Sequence, residues 1–244
     1  MTKVLITRPK ATATRLADLL QKYDYDPIIE PLLIIKPTKA IVPAFEQMNA
    51  IMITSQNVFA ALEYHRDNIT NLLRLPCFCV GPRTAETAKL FGFHQVTHTD
   101  SDGIELANHI HENLPSSQNQ LLHISGEHTS TQAFKQLEER GYQVRTWAIY
   151  KAEAVDSLTP TLQQNLHDQK ITAILFFSPR TAELFVSLIA QYTLQACCST
   201  ITAIGLSNAV ANALRPLSWH QIVVAESPTE AAMIASLQHC YPTA

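Results

Sequence analysis

The 244-residue chain has no stretch of about 18 apolar residues, so no membrane span is expected. Charged residues are scarce at 16%, against 46% apolar, which leaves no room for long disorder and supplies material for real cores. There is no long basic run, and the net charge is −3 with histidine neutral, so a general nucleic-acid surface is not expected. A local anion site stays open, because its field depends on placement rather than on the sum. Residues 1–9, MTKVLITRP, lack an apolar core of signal length and read as a short strand ending at Pro9. Cysteine is sparse and odd in number: Cys77, Cys79, Cys197, Cys198 and Cys240. Their spacing offers no second ligand pair, which favours buried thiols over zinc and implies a reduced, cytoplasmic compartment.

The familiar chemical motifs are missing as well. No GxxxxGK[ST] phosphate loop occurs, and no GxGxxG follows a strand. His109 and His111 are two apart on a predicted helix, where they diverge, and no other histidine pair has metal spacing. No Ser-His-Asp set or reactive-cysteine context stands out. An enzyme built on this chain is expected to use no cofactor, no metal and no covalent intermediate.

What is present is a repeat. Val4-Leu5-Ile6-Thr7 and Leu121-Leu122-His123-Ile124 each begin a strand that is followed by a helix and a second strand. Ile51-Met52-Ile53-Thr54-Ser55 matches Ile174-Leu175-Phe176-Phe177-Ser178. Val80-Gly81-Pro82-Arg83-Thr84-Ala85 matches Ile204-Gly205-Leu206-Ser207-Asn208-Ala209, and Ser101-Asp102-Gly103 matches Ser227-Pro228-Thr229. The offset drifts from 117 (4 to 121) to 126 (101 to 227), as loop insertions would produce. Strands alternating with helices, with the strands near-continuous apolar runs, imply parallel sheets with helices on both faces. The expected architecture is α/β: two similar domains, each a parallel sheet flanked by helices.

In such sheets ligands sit beyond the carboxyl ends of the strands. Those ends carry Arg8, Thr54, Ser55, Arg83, Thr84, Ser178, Arg180, Ser207, Asn208, Ser227 and Thr229, with Lys10 after Arg8 and Lys151 after Tyr150. Hydroxyls and amides there cap helices in any α/β protein, and capping explains any one position. Five cations at equivalent edges favour an oxygen-rich anionic ligand.

The ordered set VLITRP, ITSQNV, VGPRTAETA, SDGIEL, GYQVRTWAIY, FFSPRTAELF, AIGLSNAVANAL and AESPTEAA resembles the uroporphyrinogen-III synthase family along essentially the whole chain. The chain departs from the family in two turns. Ile124-Ser125-Gly126-Glu127-His128 lacks an arginine found in many relatives, and Ser207-Asn208 stands where two threonines are frequent. The resemblance implies that the first strand–helix–strand unit joins the C-terminal half. One domain would be residues 1–36 plus 153–244 and the other 40–148, joined by two extended linkers near 31–37 and after Tyr150. Two thin crossings make relative motion of the lobes the default expectation.

The implied reaction is ring closure of hydroxymethylbilane with inversion of the terminal pyrrole and loss of water, by a monomer. The substrate's eight carboxylates would occupy the turns. The resemblance makes Tyr150 the candidate acid for hydroxyl departure, since a phenol is protonated at neutral pH and can donate. The packing alternative for Tyr150 is left equally open. Rival functions are a two-domain anion-binding protein without chemistry and a regulatory protein that keeps only the synthase-like fold.

Overall fold

The computed structural model describes residues 1–100, 103–114, 119–128 and 132–243, so Ser101 and Asp102 lie outside the described residues. The strands are β1 (Lys3–Ile6), β2 (Asp26–Ile29), β3 (Leu33–Pro37), β4 (Ala50–Ile53), β5 (Pro76–Val80), β6 (Gln95–Thr99), β7 (Gln120–Gly126), β8 (Gln143–Ala154), β9 (Ala173–Phe176), β10 (Thr202–Gly205) and β11 (Gln221–Val224). The helices are α1 (Lys10–Gln21), α2 (Val58–Leu62), α3 (Pro82–Phe91), α4 (Gly103–Asn113), α5 (Gln132–Glu139), α6 (Pro160–His167), α7 (Pro179–Gln191), α8 (Asn208–Leu214) and α9 (Glu230–Cys240). Among the described residues no helix is long and apolar enough to cross a membrane.

The chain divides into two compact units, residues 1–34 with 153–244, and residues 35–152. The first holds a five-stranded sheet in the order β11-β10-β9-β1-β2. All of its strand pairs are parallel. The second unit holds a six-stranded sheet in the order β3-β8-β7-β4-β5-β6. The two orders correspond when β1 is matched with β7, β2 with β8, β9 with β4, β10 with β5 and β11 with β6. The first four are the strand pairs that the sequence repeat aligns.

Strand alternation produces the two layers of each core. In β1, Leu5 packs with Ile174, Phe176 and Phe185 on one face of the sheet. Val4 and Ile6 pack with Leu16, Leu20 and Leu175 on the other. In the second unit Ile51, Ile53, Cys77 and Cys79 share a layer with Trp147 and Ile149. Met52 and Phe78 face Leu106, Ile110, Phe134 and Leu137 of α4 and α5. Cys77 and Cys79 are core residues, with their sulfurs 3.8 Å apart.

The segments read from sequence as extended linkers are hydrogen-bonded strands. Thr38 N donates to Ile149 O at 2.8 Å, and Val155 N donates to Leu32 O at 3.0 Å. As one chain advances the other retreats, so β3 runs antiparallel to the second half of β8. Residues 149–152, including Tyr150 and Lys151, fall in the second unit. The chain stays extended there because Pro31 and Pro37 bar helix and the ladder satisfies the backbone.

Candidate functional site

The five strands of the first sheet, and β4 to β8 of the second, are parallel, so their carboxyl ends form one edge per unit. In the first unit Ile6 lies beside Leu175, Gly205 beside Phe176, and Gly205 beside Val224. Hydrogen bonds tie adjacent turns along this edge. Thr7 Oγ1 donates to Leu175 O at 3.1 Å, Leu206 N to Phe176 O at 3.0 Å, and Ala225 N to Gly205 O at 3.0 Å. This edge carries Arg8, Ser178, Arg180, Ser207, Asn208, Ser227 and Thr229.

Three of these hydroxyls are helix caps. Ser178 Oγ accepts from Thr181 N at 3.2 Å, Ser207 Oγ from Val210 N at 3.5 Å, and Thr229 Oγ1 from Ala232 N at 3.2 Å. Capping uses a lone pair and leaves each hydroxyl proton for a second partner. Ser178 Oγ also lies 2.8 Å from Thr181 Oγ1, and Ser227 Oγ 3.2 Å from Thr229 Oγ1. Asn208 opens α8 and is exposed, as is Arg180 at the start of α7.

Arg8 is engaged more deeply than the sequence suggests. Its Nη1 donates to Glu230 Oε2 at 2.8 Å, and its guanidinium sits 4.3 Å from the Phe177 ring centroid. Arg15 donates to both oxygens of the same carboxylate at 2.8 and 2.9 Å. The Glu230 side chain is only 8% exposed. The plane of the Arg8 guanidinium is thus set by an aromatic face and an internal anion.

The second unit presents Thr54, Ser55, Arg83, Thr84, Tyr150 and Lys151. Thr54 follows β4, and its Oγ1 lies 3.3 Å from His123 Nε2. Ser55 Oγ accepts from Asn57 N at 3.3 Å. Gly81 has φ +80°, a left-handed conformation suited to glycine, and aims the chain into α3 with Pro82 as its first residue. Arg83 lies on that first turn. Thr84, one residue further round the helix, turns into the core and is 5% exposed. Sequence alone puts Thr84 on the ligand edge beside Arg83; the helix rotation between them separates the two.

Tyr150 is placed by a bulge. The register of β7 with β8 shifts between Ser125 and Gly126, so that Ser125 faces Ala148 and Gly126 faces Tyr150. Strict alternation would send Tyr150 to the face opposite Trp147 and Ile149, yet all three side chains join one layer. The phenol ring packs closely against Gly126: a Cβ there would meet Tyr150 Cε2 at 2.6 Å and Cζ at 2.7 Å. The ring is 8% exposed, and its hydroxyl makes no hydrogen bond among the described residues. Gly126→Ala is accordingly expected to destabilise by about 1–3 kcal/mol through overpacking. Chemical denaturation checks this.

His123 and Glu230 carry no functional signal in the sequence. His123 hides in an apolar run, and Glu230 reads as an ordinary first-turn acid of α9. Only tertiary placement shows that each touches a candidate residue. A shallow groove of about 550 Å³, lined by Pro76, Lys89, His94 and Gln95, lies at the amino ends of β5 and β6 and holds no candidate. Among the described residues no group of three His, Cys, Asp or Glu is placed to hold a metal ion.

Residues 14–235 match the family model for uroporphyrinogen-III synthase HemD. The chain belongs to the uroporphyrinogen-III synthase family. Its fold is similar to that of uroporphyrinogen-III synthetase from Helicobacter pylori 26695, with a TM-score of 0.68 and 17% identity, covering 98% of this chain and 100% of that one. A mutant uroporphyrinogen III synthase from the extremely thermophilic bacterium Thermus thermophilus gives a TM-score of 0.51 at 16% identity, covering 98% of each chain. At these identities the likeness concerns fold. A search of curated proteins found no match. Family membership makes the chain a lyase-type enzyme of tetrapyrrole biosynthesis, and nothing favours a non-catalytic role.

Proposed function

We propose that this synthase holds the carboxylates of hydroxymethylbilane on its carboxyl-edge turns while Tyr150 protonates the departing hydroxymethyl oxygen. The observation that carries the proposal is the Tyr150 phenol, its ring fixed against Gly126 and its hydroxyl unengaged among the described residues. Loss of water leaves an electrophilic azafulvene. The substituted carbon of the terminal pyrrole attacks it, and the resulting spiro centre fragments and recloses with that ring inverted. The substrate supplies most of this reactivity, so the protein's task is conformational control. Arg8, Arg83, Arg180 and Lys151 supply charge. Thr54, Ser55, Thr84, Ser178, Ser207, Asn208, Ser227 and Thr229 supply hydroxyl, amide or backbone donors. Of these Thr84 is the least accessible.

The enzyme acts as a cytoplasmic monomer without cofactor. The absence of Walker and dinucleotide motifs supports the last point, and five free cysteines support a reduced compartment. Burial pushes the Cys198 thiol up to about 12, which makes it a packing residue.

The turns are tested on the exposed Arg180 and the half-buried Arg83. Arg180→Ala should keep its melting temperature, since surface changes stay within about ±0.5 kcal/mol. Its affinity for uroporphyrinogen III should fall severalfold at low salt, with the difference shrinking as salt rises. Unchanged affinity for Arg180→Ala and Arg83→Ala alike would remove the turns from the substrate site.

A further inference from the structure

His123 is a polar ring in an apolar layer. Its side chain is fully buried on β7, facing the layer built by Met52, Phe78, Leu106 and Ile110. The imidazole packs against Phe134 with ring centroids 4.6 Å apart. Leucine or phenylalanine would fill this space without the cost of desolvating a ring nitrogen. One nitrogen has an evident task, as Nε2 lies 3.3 Å from Thr54 Oγ1. The other, Nδ1, is buried with no hydrogen-bond partner among the described residues.

That asymmetry assigns the tautomer. A proton on Nδ1 would leave a buried N–H without an acceptor, which is rarer in proteins than an unsatisfied acceptor. The proton therefore sits on Nε2 and is donated to Thr54 Oγ1. With a lone pair so occupied, the half-buried Thr54 hydroxyl is set to donate its own proton beyond the end of β4. A carboxylate only accepts, so it is the matching ligand.

We infer that His123 is a positioning residue, holding the Thr54 hydroxyl as a fixed donor to one substrate carboxylate. The inference rests on the reading that Thr54 contacts the substrate. Burial also keeps the imidazole neutral, so it contributes one directed hydrogen bond and no charge.

The experiment measures KM and kcat for hydroxymethylbilane in a mutant cycle on the full chain. Thr54→Val should raise KM about tenfold and nearly keep kcat, as loss of one hydrogen bond to a charged group implies. His123→Leu should raise KM roughly threefold to tenfold, and should add nothing in the Thr54→Val background. His123→Gln carries an amide N–H near the Nε2 position and should restore KM. Should His123→Leu fail to fold, the unbranched His123→Met fills the same space for the same comparison. KM effects that add across the two sites, or that glutamine does not rescue, would mark His123 as structural and overturn the inference. An unchanged KM in Thr54→Val would instead overturn the substrate role of Thr54, and the inference with it.

Discussion

Tyr150→Phe is expected to lower kcat about a hundredfold, at the low end of the range for a positioned general acid, with product affinity nearly unchanged. The substitution keeps the ring that lies on Gly126 and removes only the hydroxyl, which makes no hydrogen bond among the described residues. Folding stability should therefore hold, so a fall in rate reports chemistry. A loss in kcat without a loss in affinity is the pattern of a contact made mainly in the transition state. The preference for the type III isomer should survive, because inversion depends on how the linear tetrapyrrole is held. Full kcat in Tyr150→Phe would return Tyr150 to a packing role. Fast turnover to mainly type I product would make it a residue that shapes the substrate.

The second large effect is a loss of stability in mild acid. Burial lowers the pKa of His123 from 6.5 to about 4. The unfolded chain binds a proton near pH 6.5, while the folded chain resists until about pH 4. The contribution of the neutral buried form is thus fully present above pH 6.5 and lost as pH falls through that window. Its size is up to about 3 kcal/mol, the free energy that separates a pKa of 6.5 from one of about 4. Denaturant unfolding at several pH values should show this slope in the parent protein. The slope should be reduced in His123→Leu, which has no group to titrate. Equal slopes in the two proteins would mean that His123 is accessible to protons in the folded state.

Much of the architecture was legible because it rests on local signals. Val4-Leu5-Ile6 and Ile174-Leu175-Phe176 read as buried strands, and they are hydrogen-bonded neighbours in one parallel sheet. The turns Val80-Gly81-Pro82-Arg83-Thr84-Ala85 and Ile204-Gly205-Leu206-Ser207-Asn208-Ala209, matched in sequence, each lead from a strand into a helix. The repeat was legible because each copy builds the same strand order. The character of the crossings was not: pairing of Leu33–Pro37 with β8 is a long-range choice that period and propensity do not encode.

The candidate edge could be read as a row of turns, since carboxyl ends follow from strand direction. Where each side chain points could not. Thr84 turned inward because one step along a helix rotates a residue by about 100°. Arg8 found Glu230, which lies 222 residues away in sequence. The bulge beside Gly126 that re-aims Tyr150 leaves no mark in the composition of Gln143–Ala154. His123 looked like one residue among apolar neighbours until its two nitrogens were placed.

The central claim is that this chain directs ring closure with inversion, and one product analysis tests it most directly. Purified protein is supplied with freshly generated hydroxymethylbilane, and the type I and type III isomers are separated after oxidation to porphyrins. Without an enzyme the substrate closes the uninverted way. Mainly type III product, formed faster than the spontaneous reaction, is the predicted result. Type I product alone, at the rate seen without protein, would contradict the account.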